Sequence, residues 1–297
     1  MIRFLKLLVF VNILLLFSCN SNKESKSTDT ALVKAHEHKL LLNNSKFENI
    51  DKAFSEFWEV VKAVADQQGI KVKESDDKFE QTHRQVEFYD TEDLGLNMKG
   101  YLIRKRTDYK GDELGSKFKL TIKFKDEDYS TVANVTLPLG EEYSSKEKEL
   151  EVEADMINGE TSESEPRISY AVSSSVKLKE ISGNTVADYS KVFSSLKSLN
   201  IDQSKELVKV NGREAESFKV SPGVLDFGSG IEAECDITVW IIDGKIIPEF
   251  SFDHSLDDWK NKSENNVEKC ESFINQLQKE APEWFVNGKS KSSFIFN

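Results

Sequence analysis

Alternation of charged and apolar residues with period two dominates the middle and the C-terminal part of this 297-residue chain. In "KFKLTIKFK", which begins at Lys117, basic residues alternate with phenylalanine, leucine and isoleucine. Successive side chains of a β-strand point to opposite faces, so this pattern predicts strands with one charged and one apolar face. The same pattern recurs in "YLIRKR", "KELEVEAD", "AECDITVWII" and "PEFSFD". The chain therefore predicts a sheet-rich fold.

The charged strand faces are sorted by sign. Arg104 and Arg106 share one face, whereas Glu151 and Glu153 share another. One interpretation is an ordinary antiparallel sheet with its charges in water. The other is a barrel whose charged face is its interior. A buried charge without compensation is costly, so such a barrel requires that acids pair with bases, bind metal or meet an anionic ligand. The alternation alone fits both interpretations.

Three amphipathic helices are predicted beside the strands. The first follows Ser45 and Glu48, which have the spacing of a capping box, and its apolar residues recur until Gly69. The second begins near Thr185, and the third covers "NVEKCESFINQLQKEA" before Pro282. Few helices and many strands indicate an α+β protein with helices packed outside a sheet or barrel. An Asn-Gly pair in "VNGRE", residues 210 to 214, predicts a tight hairpin turn.

The net charge of −12 argues against nucleic acid as a partner, because the phosphate backbone favours a basic surface. Any site for an anion must therefore be local. The chain shows no phosphate-binding glycine loop and no nucleophile elbow, and its histidines and cysteines lack the spacing of a metal site.

The N-terminus predicts export. Residues 1–18 combine a basic start with a short apolar run, which is typical of a signal peptide. Residues 19–34 begin with Cys19 and continue as a polar tether. "LLFSC" resembles the bacterial lipobox, which implies that Cys19 is lipidated and that the protein is a membrane-anchored lipoprotein of the cell envelope. An uncleaved anchor is the alternative. Residues 35–297 then form the folded domain.

Cys235 and Cys270 are the other two cysteines. In an exported protein they could form a disulfide, which we predict would join a strand to the C-terminal helix. Two buried thiols are the equally open alternative, because two residues carry no spacing pattern.

The order of these segments resembles the CYTH, or triphosphate tunnel metalloenzyme, superfamily, which includes triphosphatases and a class of adenylate cyclases. The resemblance is carried by "FYDTEDLGLNMKGYLIRKR", "KLTIK", "ELEVE" and "PEFSFD", over roughly residues 35 to 280. Where the superfamily has an ExExK strand, this chain reads "AHEHK", so Ala35 replaces the first glutamate. His36 and His38 fall on the opposite strand face, and we interpret them as packing or surface residues.

The resemblance implies a closed antiparallel β-barrel, or tunnel, with a charged interior. It assigns a set of bases to a phosphate chain: Lys39, Arg104, Arg106, Lys123 and, less directly, Lys119 and Lys209. It assigns a set of acids to a divalent cation, Mg²⁺ or Mn²⁺: Glu37, Glu151, Glu153, Glu249 and Asp253. Arginine suits phosphate because its planar fork binds two oxygens at once, and lysine adds a compact charge.

Two functions follow from the resemblance. One is binding with metal-dependent hydrolysis of triphosphate or polyphosphate. The other is a non-catalytic lipoprotein that keeps the barrel to bind a polyanionic ligand or a protein partner. The replacement by Ala35 and the predicted export favour the second function, whereas the paired arginines support anion binding under either.

Overall fold

The computed structural model describes residues 35–143, 148–158, 167–228, 230–255, 264–286 and 290–296. For residues 148–154, 156, 158, 255 and 264–268 only the backbone is described. The predicted signal peptide, the tether and Cys19 lie outside this part of the chain and stay predictions. In the part that is described, no helix is both long and apolar enough to span a membrane.

Ten strands of the described chain form one sheet. They are β1 (Ala35–Leu41), β2 (Lys71–Glu74), β3 (Thr82–Asp90), β4 (Tyr101–Lys110), β5 (Glu113–Asp126), β6 (Lys148–Asn158), β7 (Arg167–Leu178), β8 (Val208–Gly228), β9 (Ile231–Ile242) and β10 (Lys245–Ser255). Their order is β2-β8-β3-β4-β5-β7-β6-β1-β10-β9, with a further pairing between β8 and β9. The predicted sheet-rich α+β fold is confirmed.

Strand β8 makes the sheet curl. It pairs with β3 on one side and with β9 on the other, and Lys219 is the register partner of both Thr82 and Thr238. The concave face of the curled sheet surrounds a cavity. The predicted barrel is therefore confirmed in its coarser form, as a sheet curled around a cavity.

One pairing corrects the expectation of an antiparallel sheet throughout. Strands β1 and β6 run parallel, with Glu37 opposite Asp155 and Lys39 opposite Ile157. A parallel pair needs a long connection between its strands, and here the connection includes β2 to β5. This register places the "AHEHK" strand beside the end of "KELEVEAD".

The helices of the described chain are α1 (Ile50–Gln67), α2 (Tyr129–Ala133), α3 (Val186–Val192), α4 (Glu264–Glu280) and α5 (Ser293–Phe296). All three predicted helices are confirmed, as α1, α3 and α4. A capping box is present at α3, because Thr185 and Asp188 bond to each other's backbone N–H groups. The cap of α1 is Asn49, which accepts a hydrogen bond from Lys52 N, and not Ser45.

Helices α1 and α4 pack on the convex face of the sheet. The ring of Phe57 in α1 lies 5.3 Å from that of Phe250, and the ring of Phe273 in α4 lies 6.0 Å from that of Phe252. Because Phe250 and Phe252 alternate with Glu249, Ser251 and Asp253 on β10, this packing turns the charged residues toward the concave face. The helices thus fix which face of the sheet lines the cavity.

The Asn-Gly pair forms a bulge, which corrects the predicted hairpin turn. Asn211 and Gly212 have φ angles of 53° and 65°, and both lie inside β8. The pairing with β3 steps from Glu214 opposite Glu87 to Lys209 opposite Tyr89. Left-handed backbone at two successive residues suits a bulge as well as a tight turn, so the dipeptide alone did not distinguish them.

Cys235 is a free thiol, so the predicted disulfide with Cys270 is not formed. Both cysteines are buried in the core between α1, α4 and the sheet. Burial raises the pKa of Cys235 well above its ordinary value and that of Cys270 to about 12. The thiols therefore behave as small apolar groups of the core.

Candidate anion-binding cavity

The concave face of the sheet encloses a cavity of about 580 Å³. Nine basic and five acidic side chains of the described chain line it, although the whole chain has a net charge of −12. The bases are Lys39, Arg84, Arg104, Arg106, Lys119, Lys123, Lys125, Lys219 and Lys291, and the acids are Glu37, Asp155, Asp236, Glu249 and Asp253. The cavity is thus a local basic region in an acidic protein.

One wall of the cavity is formed by β4 and β5. Arg106 is the register partner of Lys119, and Arg104 is the register partner of Thr121. Thr121 lies between Lys119 and Lys123 on the same face of β5. Lys105, which lies between the two arginines, takes the opposite face, where its Nζ is 2.8 Å from Glu87 Oε2. The strand period therefore directs both arginines into the cavity and excludes Lys105, as the sequence predicts.

Asp155 lies at the centre of a cluster of lysines. Its side chain is fully buried, its Oδ1 is 2.7 Å from Lys39 Nζ, and its Oδ2 is 3.6 Å from Lys123 Nζ. Lys125 also pairs with Oδ2. Burial would raise the pKa of Asp155, but the charges of Lys123, Lys39 and Lys125 hold it well below its ordinary value. The carboxylate therefore stays ionised and holds three ammonium groups together.

The pKa of Lys125 reflects the crowding of positive charge in this cluster. Burial, followed by the charge of neighbouring Lys123, lowers the pKa of Lys125, while Asp155 opposes that shift. Ammonium groups held this close repel one another unless an anion lies between them. An additional anion at the cluster would relieve that repulsion.

Three of the other acids that line the cavity are also paired with ammonium groups. Glu37 Oε2 lies 2.6 Å from Lys39 Nζ, and Asp236 Oδ2 lies 2.8 Å from Lys219 Nζ. Glu249 Oε1 lies 3.0 Å from Lys291 Nζ.

The described residues do not fit the divalent cation that the resemblance implies. A divalent cation needs several carboxylate or carbonyl oxygens directed at one point. Glu37 and Glu249, two of the predicted ligands, are directed at lysines. Among the described side chains, no group of three His, Cys, Asp or Glu residues has the arrangement of a metal site.

The structure brings most of the predicted site residues together. The predicted residues that line the cavity are Glu37, Lys39, Arg104, Arg106, Lys119, Lys123, Glu249 and Asp253. Ala35, which replaces the first glutamate of the ExExK strand, lines it as well. The backbones of Glu151 and Glu153 lie in β6, but their side chains lie outside the described part.

The prediction that Lys209 contacts the phosphate chain in the cavity is wrong. Lys209 is not part of the cavity lining, because its Nζ pairs with Glu87 Oε1 at 2.9 Å and with Glu214 Oε2 at 2.6 Å. Lys105 bonds to the same Glu87, which is buried, so Lys209 belongs to an ion cluster outside the cavity. His38 stacks on the ring of Phe252, in agreement with its interpretation as a packing residue.

Several lining residues were missed by the sequence analysis. Asp155 continues the alternation of Glu151 and Glu153 by one more step, so the spacing could have identified it. Lys125 lies on the same predicted strand face as Lys123. Lys291 could not be predicted as a lining residue, because it lies in a short serine-rich segment without apolar periodicity.

The fold and the cavity define an α+β protein with a basic cavity inside a curled sheet. Solved structures similar to this chain include a candidate adenylyl cyclase from Hippeastrum with a dominant triphosphatase activity (TM-score 0.41, 14% identity, 89% of this chain and 95% of that chain). They also include a candidate adenylate cyclase from Bacillus halodurans (TM-score 0.40, 14% identity, 88% of this chain and 96% of that chain). A third is a protein from Pyrococcus horikoshii (TM-score 0.35, 10% identity, 87% of this chain and 96% of that chain).

No family model and no curated protein matches this chain. At these TM-scores the likeness does not assign an activity to this chain.

Proposed function

We propose that this protein binds a phosphate chain, such as a triphosphate or a short polyphosphate, inside the cavity. The observation that carries the proposal is the excess of bases over acids among the described side chains that line the cavity, in a strongly acidic chain. A polyanion that enters would find arginine forks on β4 and lysines on β5 along one wall.

The spacing of these bases favours a chain of phosphates over a single phosphate. Side chains on one face of a strand recur every second residue, which is about 7 Å along the strand. Arg104 and Arg106 on β4 are one such step apart, as are Lys123 and Lys125 on β5. A single phosphate group can contact the bases at one such step, whereas a chain of phosphates can contact the bases at several steps at once.

The pairing of β8 on both of its sides supports a further part of the proposal, that the wall closes around the ligand as a tunnel. Lys219 on β8 lies where β3, β8 and β9 meet, and its side chain lines the cavity. A wall continuous from β4 to β9 would place bases on more than one side of a bound chain. This arrangement would exclude water and strengthen each contact.

For this chain we propose binding without metal-dependent hydrolysis. Two of the five carboxylates expected to hold a cation, Glu37 and Glu249, are paired with lysines instead. This pairing favours the non-catalytic alternative of the sequence analysis. Incubation with tripolyphosphate and either Mg²⁺ or Mn²⁺ tests it, because sustained release of phosphate would assign hydrolysis to the protein.

We also propose that the protein is exported and anchored by lipid at Cys19. The basis is the N-terminal segment and the "LLFSC" sequence. In that setting the ligand would be a phosphate-chain anion outside the cytoplasm.

Calorimetric titration with phosphates of increasing length tests the proposed function. We expect affinity to rise about tenfold from orthophosphate to pyrophosphate and again to tripolyphosphate, because each added charge-assisted contact contributes at least about 1.4 kcal/mol. Citrate, a trivalent anion of different shape, is the control. Equal and weak binding of all four anions would contradict the proposal.

A further inference from the structure

The end of the chain forms part of the cavity. Ser290, Lys291 and Ser292 line it, and the short helix α5 follows directly. Ile295 in α5 is fully buried in a core cluster with Phe88 and Trp240. The segment is therefore packed against the sheet at the cavity.

Two side chains of the bulged region of β8 bind the backbone of this segment. Asn211 Nδ2 donates to Ile295 O at 2.9 Å, and Arg213 Nη1 donates to Phe294 O at 3.1 Å. The bulge at Asn211 and Gly212 thus has a consequence for the site, because it presents donors that hold the segment carrying Lys291.

Lys291 is paired with one of the acids that line the cavity. Its Nζ lies 3.0 Å from Glu249 Oε1 and 5.4 Å from the ring centroid of Trp240. The side chains of Lys291 and Glu249 are only 14% and 6% exposed, so the pair is largely removed from water. Lys39 is placed in the same way between Glu37 and Asp155, at 2.6 and 2.7 Å.

An ammonium group in this position can perform one task of a divalent cation. A cation between a carboxylate and a phosphate chain brings positive charge to the phosphate and is itself held by the carboxylate. An ammonium has three donors, so it can bond one or two carboxylates and still donate to a phosphate oxygen. Lys291 and Lys39 already satisfy the carboxylate half of this arrangement.

We propose that Lys291, carried into the cavity by the C-terminal segment, acts with Lys39 as a built-in counter-cation, so that phosphate-chain binding requires no divalent metal. This inference rests on the proposed function and deepens it. In this proposal the role of Glu37 and Glu249 is to position lysines. The proposal also makes residues 290–296 part of the binding site.

Titration of the purified protein with tripolyphosphate, once with EDTA and once with excess Mg²⁺, tests the inference. We expect binding in EDTA to be at least as tight as binding in Mg²⁺, because Mg²⁺ itself associates with the free phosphate chain and competes with the lysines. Binding only in Mg²⁺ would overturn the inference and leave the proposed function intact. Absence of binding in both buffers would overturn the proposed function as well.

A pair of lysine variants assigns the effect to the C-terminal segment. Lys291→Met should weaken binding in EDTA by about tenfold or more, which corresponds to one lost charge-assisted contact. It should also make binding improve on addition of Mg²⁺, because Glu249 is then available to a cation. Lys279→Met removes the same charge from an exposed position of α4 and should leave binding in both buffers unchanged.

Lys291→Arg keeps the charge and serves as the check on folding. If Lys291→Met lowers the melting temperature, Lys291→Arg should still bind in EDTA to within a few-fold of the native chain. Equal affinities of the native chain and Lys291→Met in EDTA would overturn the role of Lys291.

Discussion

The Nζ atom of Lys39 lies 2.7 Å from the Oδ1 atom of Asp155, across the parallel pair of β1 and β6. Asp155 has no exposure to solvent and is shared with Lys123 and Lys125 on β5. Three strands are therefore joined at one buried carboxylate on the wall of the cavity. The Asp155 carboxylate offsets part of the repulsion among these lysines, so they can stay buried in the absence of a ligand.

Asp155→Asn should destabilise the fold. The substitution keeps the shape of the side chain but leaves buried lysines without their anion, and breaking a buried ion pair in this way costs about 3–5 kcal/mol. Urea denaturation of the two proteins measures the difference. Tripolyphosphate should raise the melting temperature of Asp155→Asn more than that of the native chain, because the ligand replaces the lost anion. An Asn variant as stable as the native chain would contradict this account of the cluster.

The pH dependence of stability should change with the same substitution. The pKa of Asp155 is well below its ordinary value in the folded protein, so the folded state binds a proton less readily than the unfolded state. The contribution of Asp155 is therefore complete above the unfolded pKa of about 4 and is lost as the pH falls toward the folded pKa.

Denaturation at a series of pH values tests this direction. The stability difference between the native chain and Asp155→Asn should narrow by up to about 1.4 kcal/mol per pH unit below pH 4. A difference that stays constant from pH 6 to the acid transition would show that Asp155 is not held ionised by the lysines.

The sequence identified the strand faces because alternation is a local property. Once Phe250 and Phe252 are packed against helices, the intervening Glu249 and Asp253 have to face the cavity, and the same argument holds for Arg104 and Arg106. The pattern of one strand does not specify its neighbours. For that reason the parallel pairing of β1 with β6, and with it the contact between Lys39 and Asp155, could not be read from the sequence.

The sequence also did not specify which acidic and basic side chains form ion pairs. Glu37 and Glu249 were expected to bind metal, but each lies against a lysine, and the lysine at Glu249 comes from a segment without periodicity. Lys209 was expected in the cavity because the resemblance to the superfamily assigned it to the phosphate chain. In the structure Lys209 pairs with Glu87 outside the cavity lining.

The thiols of Cys235 and Cys270 should resist alkylation in the folded protein. Both are buried, and burial raises the pKa of each, so little thiolate is present near neutral pH. Iodoacetamide under non-reducing conditions, followed by mass spectrometry, should label neither in the native state and both after unfolding in urea. A mass that shows a bridge between them in the unfolded, unreduced protein would contradict the structure.

Cys19→Ser should release the protein from membranes or leave it unprocessed. The proposed lipid is attached at Cys19, and serine cannot form the thioether. Fractionation and intact-mass measurement of the native chain and the variant test this expectation. An unchanged membrane fraction and an unchanged mass apart from the substitution would contradict the proposed anchor.

The central claim is that the arginines of β4 bind a phosphate chain, and calorimetric titration of tripolyphosphate into Arg104→Met and Arg106→Met variants tests it most directly. Each variant should lose about 1.5–3 kcal/mol of binding free energy, roughly ten- to a hundred-fold in affinity. Lys110→Met, at an exposed position near the end of the same strand, is the matched control and should bind as the native chain does. Equal losses below about 1 kcal/mol in all three folded variants, the value typical of exposed charges, would contradict the claim.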